Sequence, residues 1–410
     1  MKKILLIIIV FVSYLGTKAQ SLCIYNKNNV TIVPAEEMGD ITCEETRLII
    51  GNTIFEFNDI DSIIISNQVY DVNTIKIEYC GEQAFVYTPL SICSNVSSTI
   101  NGAYVSIISN VTDEPEITYH LSGTTNDGAF TQEGQYKCTL LLDGVSITSN
   151  KGAAIAINNG KRIDVELKEG TTNTLTDYAL GEQKACFYIK GHAELKGEGT
   201  LNIIGNASHA YKSGEYTEIK KTFGTLNILG AVQDGLHVDQ YFKINGGTIN
   251  IDNVINDGIE VEKTDTPEDE NNGNILLNDG KVTMTLNSDD VAGLKCDNDF
   301  IAKGGTYTIT TNGKASKCVK VNNNAELSNE NKELTFNLTA NGGYIEENKD
   351  KKKSYCLKID NNMTFFSGTI NANANGPKSK GIKVGGDYFY TTKIKTNVKP
   401  EVDGSMSMIE

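Results

Sequence analysis

Along the second half of the chain, apolar residues alternate with Thr or Asn in one short theme that occurs seven times. Gly-Thr-Leu-Asn-Ile stands at 199–203 and again at 224–228. Gly-Thr-Ile-Asn-Ile follows at 247–251 and Gly-Lys-Val-Thr-Met at 280–284, with variants at 305–309, 332–336 and 368–372. Successive starts are 25, 23, 33, 25, 27 and 36 residues apart, and the polar stretches 264–274 and 346–354 account for the long gaps. Leu201 and Ile203 share one side, as do Ile249 and Ile251; a period of two rich in β-branched residues is a half-buried strand. A second strand follows some way after most themes, at 235–238, 258–261, 293–296, 318–321, 356–359 and 381–384, with earlier copies at 154–157, 186–189 and 210–213. A further apolar stretch precedes the theme, as at 242–244 and 300–302. Two or three short strands per repeat predict an all-β chain wound as a right-handed parallel β-helix, a solenoid in which each repeat buries its apolar face on the next.

The second strand always opens on a small residue: Ala154, Cys186, Ala210, Gly235, Gly258, Gly293, Cys318, Cys356, Gly381. Cys and Ala replace Gly there, so the requirement is a crowded bend and not a positive φ. Outside the predicted solenoid, taken as 116–390, the texture changes. Residues 1–19 read as a signal peptide, with Lys2 and Lys3 ahead of a short apolar run. Residues 20–115 hold alternating strands without the repeat and predict a small β module covering the first rung's open edge. The repeat breaks again at 391–410, predicting a C-terminal cap. An exported protein is the expectation.

Charge narrows the partners. A net charge of −15 with pI ≈ 4.9 argues against nucleic acid and anionic membranes, and suits divalent cations or plain solubility. Nine cysteines raise the question of disulfides. Cys186, Cys318 and Cys356 occupy the small column and Cys296 an inward strand position, where free thiols pack as apolar residues. Cys23, Cys43, Cys80 and Cys93 lie outside the solenoid and are the disulfide candidates.

Between about residues 119 and 384 the chain resembles a family of exported bacterial carbohydrate-binding proteins with a pectate-lyase-like parallel β-helix. The likeness is carried by Leu-Leu-Asp-Gly-Val-Ser-Ile at 141–147, Gly-Thr-Thr-Asn-Thr-Leu-Thr at 170–176, the Asp-Gly rungs at Asp234 and Asp257, and the Gly-Gly-Thr turns at 246–248 and 304–306. The resemblance implies calcium-dependent binding of plant-type polysaccharide, acidic uronate polymers included. The Asp before Gly gives way after Asp257 to Ala292, Lys317, Tyr355 and Lys380.

Stacked rungs make sequence-distant residues into neighbours about 4.8 Å apart. Asp234 and Asp257 then share a corner, with Asp289 and Asp290 near it on the next rung and Glu260 two residues beyond Asp257. Carboxylates so close repel, and Ca²⁺ with oxygen ligands is one remedy; the other reading is Asp making turns before Gly. Beside them runs an outward column of His237, Glu260, Lys295, Lys320, Lys358 and Lys383. It follows a uronate chain on one reading and is a solvated lysine ladder on the other. A second column, Asn202, Asn227, Asn250, Thr283, Thr308 and Thr335, also faces outward. The acids around Asp257 and Asp289 resemble those of polygalacturonases, but the Gly-His-Gly and Arg-x-Lys motifs are missing. A lyase would need Lys295 as base, since neither Arg47 nor Arg162 lies near the acids. His192 is expected to be structural, and His120 and His209 isolated. Non-catalytic, calcium-assisted polysaccharide binding is the expectation, with lyase or hydrolase, and then scaffold or adhesin, as the alternatives.

Overall fold

The computed structural model describes residues 21–327, 333–347 and 350–409, and the expected signal segment lies outside them. The described chain is all-β apart from three single turns of 3-10 helix. Its strands form long parallel ladders, the arrangement of a β-helix-like solenoid. In one repeat, Ala193–Lys196, Thr200–Gly205 and His209–Ser213 follow in sequence, and each pairs in parallel with its counterpart about one repeat later: Thr217–Ile219, Thr225–Ala231 and Leu236–Asp239. We call these the first, second and third ladders. Inward side chains of all three merge into one hydrophobic core running from Ile75 to Tyr388.

The third ladder bears on function. Its parallel strands run from Ala103–Ser109 to Glu401–Val402. The small residues at its bend are there because there is no space. A Cβ on Gly258 would lie 2.6 Å from the Gly293 carbonyl oxygen and 2.7 Å from Met284 Sδ, and one on Gly293 would lie 2.5 Å from both Cys318 O and Ile309 Cγ2. Neither glycine has a positive φ.

The second ladder carries the amide column. Asn227 donates to Asn202 and Asn250 to Asn227, both at 2.8 Å. Its lower part corrects the sequence alignment by two residues: Thr308 pairs with Asn337, then Asn371, whereas Thr335 sits opposite Thr306. The rung at Leu334–Ala340 lacks the glycine that marks its neighbours, so parity survived while register did not.

The boundaries also move. Leu22, Ile24, Val33, Leu48 and Ile50 form a separate small core. Thr74–Cys80, however, already pairs in parallel with Ile117–Thr125, and Ala103–Ser109 with Gly128–Glu133, so the ladders begin well ahead of residue 116. At the other end, Glu401–Val402 and Met406–Met408 continue the third and first ladders. The segment after 390 thus satisfies its backbone by extending the rungs. All nine cysteines are free thiols. The four disulfide candidates are therefore unpaired: Cys23 is buried, Cys80 exposed, and Cys43 and Cys93 half-buried.

Candidate carbohydrate-binding face

The third ladder's register brings the predicted column together. Lys212, His237, Glu260, Lys295, Lys320, Lys358 and Lys383 are directly opposed, rung after rung. At the strand's opening corner, the residue before the small one forms a parallel stack of His209, Asp234 and Asp257. His209 is not isolated, contrary to expectation: it precedes Ala210 just as Asp234 precedes Gly235, and that shared position is the signal for the stack. Its ring lies 4.4 Å from that of His237. His120 is likewise engaged, 2.9 Å from Asp143. His192 packs on Tyr216 and lies 2.8 Å from Glu215.

Asp234 is buried, and both its oxygens are occupied. Oδ1 accepts from Asn256 Nδ2 at 2.7 Å and from the Asp257 N–H at 3.0 Å. Oδ2 lies 2.9 Å from His237 Nδ1 and 3.1 Å from His209 Nδ1. Burial opposes ionisation of Asp234, but His209 and His237 outweigh it and hold the carboxyl well below its usual range. Burial likewise opposes a charged His237, yet Asp234, Asp239 and Glu260 push it up to about 11. The ring is an imidazolium at neutral pH.

One rung on, Asp257 Oδ1 accepts the Ala292 N–H at 2.6 Å and Oδ2 receives Lys295 Nζ at 3.0 Å. Lys295 also binds Glu260 Oε1, and Glu260 Oε2 lies 3.4 Å from His237 Nδ1. Burial raises the Asp257 carboxyl in spite of Lys295.

Asp234, Asp257 and Glu260 therefore offer oxygens within 4.8 Å of one another. Calcium seeks six to eight oxygen ligands, but every carboxylate oxygen of this trio already faces a nitrogen. His237 and Lys295 offset two of the three negative charges, and with every oxygen so engaged the trio does not fit a calcium ion. Asp289 and Asp290 do not join the trio. Asp289 accepts the Lys314 N–H at 2.7 Å, and Asp290, at φ 54, pairs with Lys317 at 2.7 Å and Lys352 at 3.2 Å.

Further down the column the lysines differ. Lys358 pairs with Asp360, and Lys383 with Asp403 and Glu401. Among the described residues Lys320 has no carboxylate within ion-pair distance. Burial, then Lys295, Lys317 and Lys358, lower its pKa, because a half-buried ammonium among cations is disfavoured.

Residues 101–379 match the profile of the carbohydrate-binding domain-containing protein family. A protein of that description from Acetivibrio thermocellus is 32% identical over 120 residues, 27% of this chain and 41% of the relative's length. A solved structure described as a polysaccharide lyase-like protein from C. thermocellum, gadolinium derivative, aligns with 82% of this chain and 100% of its own, at TM-score 0.45 and 20% identity. With the profile matched over more than half its length, this chain belongs to the family of carbohydrate-binding domain-containing proteins.

Proposed function

We propose that this chain is an exported, right-handed parallel β-helix that binds an acidic polysaccharide along the third ladder without cleaving it. Export rests on the signal-like pattern of residues 1–19. One observation carries the binding reading: among the described residues Lys320 is a half-buried cation with no carboxylate within ion-pair distance, midway along a column whose other lysines are paired. A carboxylate from a uronate polymer supplies the missing charge, and the paired lysines above and below hold the approach open to anions. The rung repeat of about 4.8 Å lets an extended chain offer one sugar to each rung. The bridging role that calcium would have had at the acidic corner passes, in this reading, to the Lys320 ammonium.

Lys320→Glu removes a charge-assisted contact worth about 1.5–3 kcal/mol, so affinity for oligogalacturonate should fall roughly 10–100-fold. Calorimetric titration over a salt series measures this, with wild type the more salt-sensitive. Chelator should leave wild-type affinity unchanged. Equal affinity in wild type and variant would remove Lys320 from the site.

A second reading has one observation in its favour. A lysine with a lowered pKa is a competent proton acceptor, and a lyase takes a proton alpha to a uronate carboxylate. Unsaturated-uronate absorbance that appears with wild type and vanishes in Lys320→Ala would establish the lyase and refute binding without cleavage.

A further inference from the structure

A different part of the third ladder carries one core position out of character. The inward column through Ile107, Gln132, Ile157, Ile189 and Ser213 is aliphatic except at Gln132 and Ser213, and the Ser213 hydroxyl is satisfied by Glu215 O and Thr217 Oγ1. The Gln132 side chain is 1% exposed. Its amide nitrogen donates to Tyr119 Oη at 3.3 Å and to the Glu133 carbonyl at 2.9 Å. Its Oε1 has no partner. Buried acceptors are nearly always satisfied, so a lone one marks a place for a donor.

Gln132 lines a recess of about 10 Å³ together with Ser109 and Gly134, the space of a single water or hydroxyl. Ser109 and Gly134 also line a polar groove of about 700 Å³ at the corner where the third ladder turns toward the first. A ligand of one or two sugar units fits that volume. Asn110 and Asn158 border the groove, as do Lys161 and Lys190 and one carboxylate, Glu133, against which the two lysines leave a net positive charge. Both lysines are exposed and lack an ion pair among the described residues. The groove is open beside Gly160, where a Cβ would meet nothing within 4 Å.

We infer that this groove is a second glycan subsite, taking one or two units of an acidic sugar. A sugar hydroxyl donates to Gln132 Oε1, directly or through the single water the recess admits, while the carboxylate lies between Lys161 and Lys190. The groove shares with the lysine column only its class of ligand. Five rungs separate Lys190 from Lys320, about 24 Å at the rung repeat, so a disaccharide reaches one site or the other and a long chain spans both.

Digalacturonate titrated calorimetrically into the full chain tests the inference. Wild type should bind two molecules, and Lys161→Glu with Lys190→Glu should leave one. Gln132→Ile matches Ile107 and Ile157, so its melting temperature should hold or rise while groove affinity falls at least tenfold. Unaltered stoichiometry in the lysine double variant overturns the groove. So does full affinity in Gln132→Ile, which would leave Oε1 with buried water alone. Lys320→Glu with Lys358→Glu separates the two sites. Binding that survives there and is lost in Lys161→Glu with Lys190→Glu supports the groove and refutes the column; a single site lost in Lys320→Glu with Lys358→Glu does the reverse.

Discussion

His237 is a single ring set among four carboxylates. Its one positive charge offsets part of the repulsion among Asp234, Asp239, Glu260 and Glu262. Its folded pKa, about 11, lies above the ordinary value near 6.5. Its stabilisation is therefore complete below about pH 6.5, falls as pH rises, and is gone once pH passes about 11. Asp234 is shifted the opposite way, so its contribution is complete above about pH 4 and disappears as pH falls through its folded value. Melting temperature should be highest between those limits, about pH 4 to 6.5. His237→Gln should lower it by the equivalent of about 3–5 kcal/mol, the cost of breaking a buried ion pair, and should flatten the alkaline decline. A variant whose melting temperature falls with rising pH as steeply as wild type would show that another group controls stability there. Rung spacing alone puts Asp234, Asp257 and Glu260 in one corner, as expected from the sequence, whereas Asp289 and Asp290, expected near it, turn to Lys314, Lys317 and Lys352. The column also made His237 and Lys295 the neighbours of Glu260; what it did not convey is that both side chains lean back to the corner carboxylates Asp234 and Asp257.

The strand and its bend explain what periodicity can and cannot convey. Alternation gave the strands, and the small column gave the crowded bend, because each reflects steric contact that repeats on every rung. Gly258→Ala forces a Cβ against Gly293 O and Met284 Sδ and should cost about 1–3 kcal/mol in denaturant unfolding. Gly152→Ala, where a Cβ would meet nothing within 4 Å, should be nearly neutral. Equal stability of the two variants would mean that the bend relaxes freely. Register was harder to infer, because Asn337 and Thr335 have the same parity and only a marker glycine tells them apart. Gln132 is hard to place for the opposite reason: it and Ser213 are isolated polar breaks in an otherwise apolar inward column, and one polar residue in a strand reads as an outward position until the partners are known.

At the scale of the molecule, one core from Ile75 to Tyr388 supplies the stability that disulfides provide in smaller exported domains. A thiol reagent should therefore find nine cysteines in the unfolded chain. In the native chain it should react fast with exposed Cys80, slowly with Cys43 and Cys93, and hardly at all with the buried six. Fewer than nine thiols after unreduced denaturation would show that a disulfide forms. The rung repeat, meanwhile, makes the third ladder a ruler. Its graduation is close to one sugar, and its marks are set by backbone pairing, which no side-chain substitution can rescale. Recognition should accordingly count. Adding a rung by duplicating residues 292–316, with its lysine, should leave affinity for short oligomers unchanged and raise it only for chains long enough to reach the new mark.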